Sequence, residues 1–268
     1  MIDHGKHNIL GVRVNAVDYG AAVEHVVAAA RARRPLAVSA LAVHGVLTGV
    51  LDPVHRYRLN RFDLLVPDGQ PVRWALRWLH RARLADRVYG PTLMLRICER
   101  MAAEGLPIFL YGGTADVLAR LRANLSARFP RLPIAGVRAS RFRRLAPAER
   151  DDTVAVIRAS GAALTFVGLG CPRQEVWAFE LRPALAMPLV AVGAAFPFHA
   201  GRLRQAPRWM QDRRLEWLYR LLQEPRRLWK RYLLLNPLYL TLLLLQLTRL
   251  RSFDPDRASP PTEEVRYG

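Results

Sequence analysis

The segment LTFVGLGCPRQEVWAFEL occupies residues 164–181 and joins a short apolar run to an amphipathic stretch through a glycine-rich turn. The apolar run Leu164–Val167 predicts a buried strand, and the stretch Gln174–Leu181 predicts a helix. Strand, turn and helix in this order are the repeating unit of folds built around a parallel sheet. The segment therefore predicts an α/β architecture.

The same alternation recurs through the first 201 residues of the chain. Parallel strands are buried on both faces, so continuous apolar runs of this kind predict a mostly parallel sheet with helices on both faces. The other predicted strands are Leu36–Leu41, Leu64–Val66, Ile108–Tyr111, Ile134–Val137 and Leu189–Val192. The other predicted helices are Ala21–Arg33, Val72–Leu79, Thr92–Glu104, Val117–Phe129 and Pro147–Ser160.

The composition is that of a globular protein with a strong positive charge. The 268 residues carry 41 basic and 22 acidic side chains, a net charge of +19, and all but two of the basic residues are arginine. Arginine binds phosphate through a planar fork of donors, so the charge predicts a phosphate-rich partner. It leaves nucleic acid, nucleotide and anionic lipid open.

Disulfide and metal chemistry find little support in the sequence. Cys98 and Cys171 are too few for a disulfide framework or a four-cysteine zinc site. The seven histidines show no metal-binding spacing, and the one Asp-x-Asp pair, Asp254–Asp256, lies in a proline-rich tail. We therefore expect no metal cofactor. The N-terminus has no apolar signal core, which predicts a cytoplasmic protein.

The composition changes after Gly201. Residues 202–232 are basic and rich in aromatic side chains, and YLLLNPLYLTLLLLQLTRL (232–250) is leucine-rich but interrupted by Asn236, Pro237 and Gln246. This pattern favours a helix lying on the membrane surface, with a core helix, an oligomer contact and a membrane span as alternatives. The proline-rich residues 251–268 predict disorder. The predicted organisation is an α/β domain over 1–201, a helical appendage over 202–250 and a disordered tail.

Asp68 is the most specific candidate for chemistry. In FDLLVPDGQPV (62–72) it follows a predicted strand, and ligands of open α/β sheets bind at the carboxyl ends of strands. Asp68 could act there as a general base, or it could only cap the next helix. Arg87 precedes another glycine turn and is a second functional candidate. The alternative is that Arg87 only forms a surface ion pair with Asp86.

Three glycine-containing turns follow predicted strands, in FLYGGTADV (109–117), FVGLGCPRQE (166–175) and AVGAAFPFHAG (192–201). Such turns let backbone N–H groups approach a phosphate, although they also occur for packing reasons. No P-loop motif is present, which argues against a Walker-type ATPase. Gln174 could bond a sugar or phosphate, Glu175 could instead balance the helix dipole, and Cys171 is interpreted as a packed thiol.

In their order along the chain these residues resemble the WecG/TagA/CpsF glycosyltransferases, glycosyltransferase family 26. The resemblance runs from about residue 8 to residue 232. It is carried by PDGQPV (67–72), RVYG (87–90), YGG (111–113), VGLGCPRQE (167–175), VGAAFPFHAG (192–201), AP-W-M (206–210) and LEWLYRLLQEPRRLWKRY (215–232).

The resemblance implies a Rossmann-like α/β domain with a C-terminal appendage. It also implies an inverting, metal-independent transfer of a hexose, of N-acetylmannosamine type or related, from a UDP-sugar to a polyprenyl-diphosphate-linked sugar. Such a reaction belongs to bacterial cell-surface or extracellular polysaccharide biosynthesis. It would place the protein in the cytoplasm, peripherally bound to the anionic inner face of the cell membrane.

Matching positions carry the family's roles onto this chain. Asp68 resembles the catalytic base, and Arg87 and Gln174 match catalytic polar positions. The positions implied to bind substrate are Ser39, Gly69, Gly112, Gly113, Gly168, Gly170, Pro172, Glu175 and the appendage arginines Arg214, Arg220 and Arg227.

The chain departs from the family pattern at three positions. Leu41 stands where many members have Asn, Pro197 where Asp is usual, and Gln205 where Arg is common. A non-catalytic membrane scaffold of the same fold therefore stays open as an alternative. So does an arginine-rich nucleic-acid-binding protein, although that interpretation leaves Asp68 and the glycine turns unexplained.

Overall fold

Six apolar runs form one parallel sheet in the described part of the chain. The computed structural model describes residues 1–204, 206–207, 209–210, 213 and 215–268, without the side chains of Glu216, Arg227, Lys230 and Arg231. The strands are β1 (Asp3–Ile9), β2 (Val12–Val17), β3 (Leu36–Leu41), β4 (Leu64–Pro67), β5 (Ile108–Gly112), β6 (Ile134–Arg138), β7 (Leu164–Gly168) and β8 (Pro188–Ala191). The sheet order is β4-β3-β8-β7-β5-β6, and every pair is parallel. The predicted fold class and all six predicted strands are confirmed.

Helices cover both faces of this sheet. They are α1 (Tyr19–Arg31), α2 (Val43–Leu51), α3 (Pro53–Asn60), α4 (Gln70–His80), α5 (Gly90–Ala103), α6 (Ala115–Arg128), α7 (Pro147–Ala159), α8 (Arg173–Leu181) and α9 (Ala195–His199). One apolar cluster joins α1, α5, α6 and α9 to one face, and another joins α2, α3, α4, α7 and α8 to the other. All six predicted helices are present, with ends displaced by at most two residues.

The N-terminal residues form an antiparallel hairpin that the sequence pattern did not predict. Strands β1 and β2 turn at Leu10 and Gly11, which both have positive φ. The hairpin packs beside β4, and the Asn15 side chain accepts a hydrogen bond from Leu65 N at 2.8 Å. It therefore covers the edge strand of the main sheet, an edge that would otherwise expose unpaired backbone groups.

The leucine-rich segment near the C-terminus is a core helix on one side. Helices α10 (Glu216–Gln223) and α11 (Pro225–Lys230) lead through a π-helical segment, Arg231–Leu235, into α12 (Asn236–Leu247). Tyr239, Leu242 and Leu243 are buried in the same apolar cluster as α2 and α4. Gln246 accepts from Leu10 N at 2.9 Å. The alternative of a core helix is therefore correct for this face.

The opposite side of α12 is exposed. Leu240 and Leu244 are 49% and 58% exposed, and Leu238 and Leu247 are also accessible. Among the described residues, no helix combines the length and apolar character that crossing a bilayer requires. Both an apolar outer face and a packed inner face therefore belong to the same short helix.

The predicted disorder of residues 251–268 is wrong in this structure, because the segment runs along the α/β domain. Asn60 Nδ2 donates to Pro255 O at 2.9 Å, and Arg13 pairs with Asp256 at 2.6 Å. Glu180 accepts from two backbone N–H groups of the tail at 2.8 and 3.0 Å. Polar, proline-rich composition predicted disorder, but hydrogen bonds to the folded domain order the segment without a core of its own.

Candidate active site

The carboxyl ends of the parallel strands meet at one edge of the sheet. The connection after β5 leads outward to β6, whereas the connection after its neighbour β7 leads back toward β8. Adjacent strands whose connections diverge leave a crevice between them, and ligands of open α/β sheets bind in such crevices. The predicted glycine turns lie at this point, with Gly112 and Gly168 directly paired in the ladder.

Asp68 lies at the same edge, directly after β4. Its backbone N donates to Leu41 O at 3.2 Å, which extends the ladder between β3 and β4. Its Oδ1 accepts from Gly90 N, the first residue of α5, at 3.3 Å. Helix α4 begins after its N-cap Gly69. The bond from Gly90 N places Asp68 at the N-terminus of α5, which favours negative charge.

Ser39, Gln174 and Glu175 form a buried polar cluster beneath the β7–α8 turn. Ser39 Oγ and Gln174 Nε2 donate to Glu175 Oε1 at 2.8 and 2.9 Å. Gln174 Oε1 accepts from Gly170 N at 3.2 Å. Ser39 and Glu175 are 136 residues apart in sequence and meet because β3 and α8 adjoin in the fold. The cluster thus ties the glycine turn to the centre of the sheet.

Gly90 and Gly193 leave little space between this cluster and Asp68 at the start of the β8–α9 turn. A Cβ placed on Gly90 would lie 3.7 Å from Val192 O, and one placed on Gly193 would lie 2.9 Å from Gln174 Oε1. Asp68 in turn bonds the backbone N of Gly90. The structure therefore places two of the predicted catalytic residues, Asp68 and Gln174, at the same edge of the sheet.

Gly112 and Gly168 are required by close packing. Gly112 has a φ of +110°, and a Cβ there would lie 2.8 Å from the carbonyl carbon of Gly168. A Cβ on Gly168 would lie 2.4 Å from the ring of Phe196, which is fully buried in α9. The packing interpretation therefore holds for these two glycines. Phe196 supports both turns, a role that its motif in the sequence did not reveal.

The remaining predicted turn residues lie around these glycines. Gly113 follows β5 and accepts from Ser140 N at 3.0 Å. Gly170 has a φ of +80°, and a Cβ placed on it would have no neighbouring atom within 4 Å, so it borders open space. Gly69 and Pro172 are the residues that immediately precede α4 and α8. These positions surround the crevice but differ in how closely protein atoms cover them.

Arg87 and two tyrosines lie on the Asp68 side of the site. Val88 N donates to Pro67 O at 2.9 Å, so the segment containing Arg87 runs beside the end of β4. The Arg87 guanidinium lies 4.7 Å from the centre of the Tyr89 ring, and Asp86 accepts from the Arg87 backbone N at 2.7 Å. Tyr89 N in turn donates to Tyr19 Oη at 2.8 Å.

Tyr19 is a residue that the sequence reasoning missed. Burial raises the pKa of Tyr19, and the negative charges of Asp68 and Asp86 add to this shift. The phenol therefore stays neutral near Asp68 at physiological pH. No motif in the sequence marks Tyr19, because its proximity to Asp68 arises from the packing of α1 against α5.

The appendage reaches the site through α9. The Arg220 guanidinium lies 5.5 Å from the centre of the Phe198 ring. Arg227 belongs to α11, but its side chain lies outside the described part of the chain, as does the whole of Arg214 together with Gln205. Of the three predicted appendage arginines, the structure therefore positions Arg220 near the turn that follows β8.

The two cysteines differ in their environments. Cys98 is fully buried, and burial raises its thiol pKa; Cys171 is half-buried and lies near the Glu175 carboxyl. Within the described residues, no group of three or more His, Cys, Asp or Glu side chains is arranged to hold a metal ion. The packed-thiol interpretation agrees with both cysteine environments.

Replacing Glu175 by Gln is expected to change how stability depends on pH. Burial raises the pKa of Glu175 above its ordinary value of 4.5, so the folded protein holds this proton more tightly than the unfolded chain. The contribution of this proton to the free energy of unfolding is complete below the pKa that Glu175 has in the unfolded chain. It is lost as pH rises through the pKa that Glu175 has in the folded protein. The side chain created by Glu175→Gln does not ionise. As pH rises through the folded-state pKa of Glu175, the melting temperature of the variant should therefore increase relative to that of wild type.

The measurement is the melting temperature of both proteins from about pH 4 to pH 8. Glu263→Gln, a change at an exposed carboxyl, is the matched control. A difference between Glu175→Gln and wild type that does not vary with pH would contradict a buried, proton-bearing Glu175.

A comparison with protein families identifies the family of this chain. The chain matches the model of the glycosyl transferase WecG/TagA/CpsF family over residues 7–253. The matched region includes the α/β domain, the glycine turns, Asp68 and the C-terminal helices through α12. The resemblance carried by the motifs is thereby confirmed over most of the chain. The chain belongs to the WecG/TagA/CpsF family of glycosyltransferases.

Proposed function

We propose that this glycosyltransferase moves a hexose from a UDP-sugar to a polyprenyl-diphosphate-linked sugar acceptor, with inversion and without a metal. The reaction would serve bacterial cell-surface or extracellular polysaccharide synthesis, at the inner face of the cell membrane. The observation that carries the proposal is the position of Asp68. Its carboxylate lies at the carboxyl end of β4 and accepts from Gly90 N at 3.3 Å, at the sheet edge where the glycine turns also lie.

In this mechanism Asp68 takes the proton of the acceptor hydroxyl as that oxygen attacks the anomeric carbon. The new C–O bond forms as the bond to the UDP oxygen breaks, and the electron pair leaves with UDP. A single base and a direct displacement give inversion. Arg87 would contribute positive charge beside Asp68, and Gln174 would hold the β7–α8 turn in place for the donor.

The departing diphosphate would lie at the switch point of the sheet. Helices α6 and α8 begin directly after the turns at Gly113 and Gly170, and helix N-termini stabilise phosphate charge. Arg173, the first residue of α8, adds a cation at the same edge. Preorganised donors and cations of this kind can stabilise a leaving group in place of a divalent ion.

The proposed membrane location rests on the apolar outer side of the C-terminal helices. Exposed tryptophans at 209, 217 and 229 accompany the exposed leucines of α12. Aromatic and leucine side chains beside arginines are typical of surfaces that lie in the interfacial layer of a bilayer. Such a location would bring the site to a lipid-linked acceptor.

The experiment that tests the function measures UDP release from a panel of UDP-sugars, with a polyprenyl-diphosphate-linked N-acetylglucosamine as acceptor. One donor should give acceptor-dependent UDP release and a glycosylated lipid of the expected mass. If none of the donors reacts, the non-catalytic scaffold is favoured. Salt-sensitive DNA binding by a protein without turnover would favour the nucleic-acid interpretation.

Transfer is expected to persist in excess EDTA. The proposed mechanism neutralises the diphosphate with arginines and helix N-termini rather than with a divalent ion. The measurement compares initial rates of UDP release with EDTA, with Mg²⁺ and with Mn²⁺. Complete loss in EDTA that either metal restores would contradict the metal-independent mechanism.

A further inference from the structure

The outer side of α4 carries a repeated pair of arginine and tryptophan. Arg73, Trp74, Arg77 and Trp78 lie at i, i+1, i+4 and i+5, a spacing that places all four on one side of a helix. The opposite side of α4, with Val72, Ala75 and Leu76, is buried against the sheet. The two indole rings stack at 5.9 Å, and Trp78 is 49% exposed.

A cavity of about 100 Å³ opens between this side of α4 and the segment that follows it. It is lined by Arg73, Trp74, Arg77, Ala82 and Leu84. Its volume corresponds to a few water molecules and therefore suits a phosphate group. The lining combines two arginines with a tryptophan, the residue types that recognise an anionic headgroup at a membrane interface.

The arginines of this cavity are not neutralised by carboxylates in the described part of the chain. Arg73 donates to Leu84 O at 2.8 Å and to Gln70 Oε1 at 3.2 Å, and Arg77 makes no ion pair. Gln70, which accepts from Arg73, also donates to Asp86. The Asp86 carboxylate thus accepts from Gln70 and from the Arg87 backbone N, and does not pair with Arg73. Elsewhere on the surface, arginines such as Arg31 and Arg143 pair with glutamates. The cavity thus retains its positive charge.

The cavity lies near both helix α12 and Asp68. Helix α12 packs beside α4, where Tyr239 Oη donates to Pro71 O at 3.2 Å, so the helix that carries the exposed leucines adjoins the helix that carries the arginines and tryptophans. At the other end, α4 begins two residues after Asp68. The cavity therefore lies within roughly two helical turns of the proposed base.

We propose that the cavity of α4 binds the phosphate headgroup of an anionic phospholipid. The α/β domain itself would then contact the membrane, and α4 would set the distance between the bilayer surface and Asp68. The inference rests on the membrane location proposed above but assigns a specific lipid contact to a different element. Exposed leucines of α12 would enter the apolar layer while Arg77 and Trp78 bind at the level of the headgroups.

The test measures co-sedimentation of the full chain with vesicles. One set contains phosphatidylcholine alone, and the other contains equal parts of phosphatidylcholine and phosphatidylglycerol. Arg77→Gln should weaken binding to the anionic vesicles about fivefold, the loss expected for one arginine at an anionic surface. Trp78→Ala should weaken binding to both sets. Melting temperatures confirm that each variant is folded.

A matched variant separates this contact from general charge. Arg122→Gln removes an exposed arginine of α6, which packs on the opposite face of the sheet, and should bind vesicles like wild type. An equal loss in Arg77→Gln and Arg122→Gln would overturn the proposal, because the effect would then follow net charge. If inorganic phosphate raises the melting temperature of wild type but not of Arg77→Gln, while Arg77→Gln still binds anionic vesicles like wild type, the cavity is a site for free anions and the proposal is overturned.

A leucine variant separates failure of this inference from failure of the proposed location. Replacing both Leu240 and Leu244 by Ser removes the exposed apolar side of α12. If that variant leaves the vesicles while Arg77→Gln binds like wild type, the α4 site is overturned and the membrane location stands. If the wild-type protein transfers sugar but does not bind either set of vesicles, both membrane statements are overturned and the transferase function stands.

Discussion

Asp68→Asn is expected to lower the rate of glycosyl transfer by about 10²–10⁴-fold, the usual contribution of a general base. An amide cannot take up the acceptor's proton, so the loss should appear in kcat rather than in KM for the donor. The fold should be preserved, because Asn can still accept the hydrogen bond from Gly90 N that Asp68 Oδ1 accepts at 3.3 Å.

The measurement is initial-rate UDP release with the lipid acceptor, together with donor binding by calorimetry. Asp151→Asn, the same change at an exposed carboxylate of α7, serves as the matched control and should keep wild-type turnover. If Asp68→Asn kept more than half of the wild-type rate, Asp68 would not be the base. Its contact with the N-terminus of α5 would then be structural.

Tyr239→Ala is expected to destabilise the protein by about 3–5 kcal/mol, the cost of truncating a fully buried large aromatic side chain. Tyr239 is completely buried, and its hydroxyl donates to Pro71 O at 3.2 Å. The change removes apolar contacts between α12 and the domain and leaves a cavity. Since α12 lies outside the predicted α/β domain, a loss of this size would show that the two share one core.

Leu240→Ala is the control for this prediction, because the adjacent residue of the same helix is 49% exposed. An exposed substitution of this kind should change stability by less than about 0.5 kcal/mol. Denaturant unfolding of both variants gives the two values. Similar small losses at both positions would mean that α12 does not pack as the structure shows.

Local patterns were sufficient for the sheet and for part of the site. Short apolar runs such as Ile108–Tyr111 that end in turn residues predict buried strands, and glycines after such runs predict turns. Asp68 was found in the same way, from its place after a strand. The motif match then extended these predictions to a family, and the comparison over residues 7–253 confirmed it.

Other features could not be predicted from local patterns, because they depend on which helices and strands pack against each other. Nothing in the stretch around Tyr19 predicts that its hydroxyl accepts from Tyr89 N at 2.8 Å. The tail from residue 251 illustrates the same point, because its composition suggested disorder while Glu180 and Asn60 supplied bonding partners from distant parts of the chain. Those partners cannot be identified before the domain is assembled.

The amino-acid sequence established the α/β class, the six strands of the parallel sheet and six of its helices, the glycine turns and the candidate base. These follow from residue periodicity and from the conformational demands of a few residues, which act over one or two turns of chain. The assembled fold decided that Ser39 meets Glu175, that Phe196 supports both glycine turns and that α12 buries one side and exposes the other. Each of these is a contact between residues far apart in sequence. The packing of the sheet and its two helical layers selects such contacts, and no local pattern encodes them.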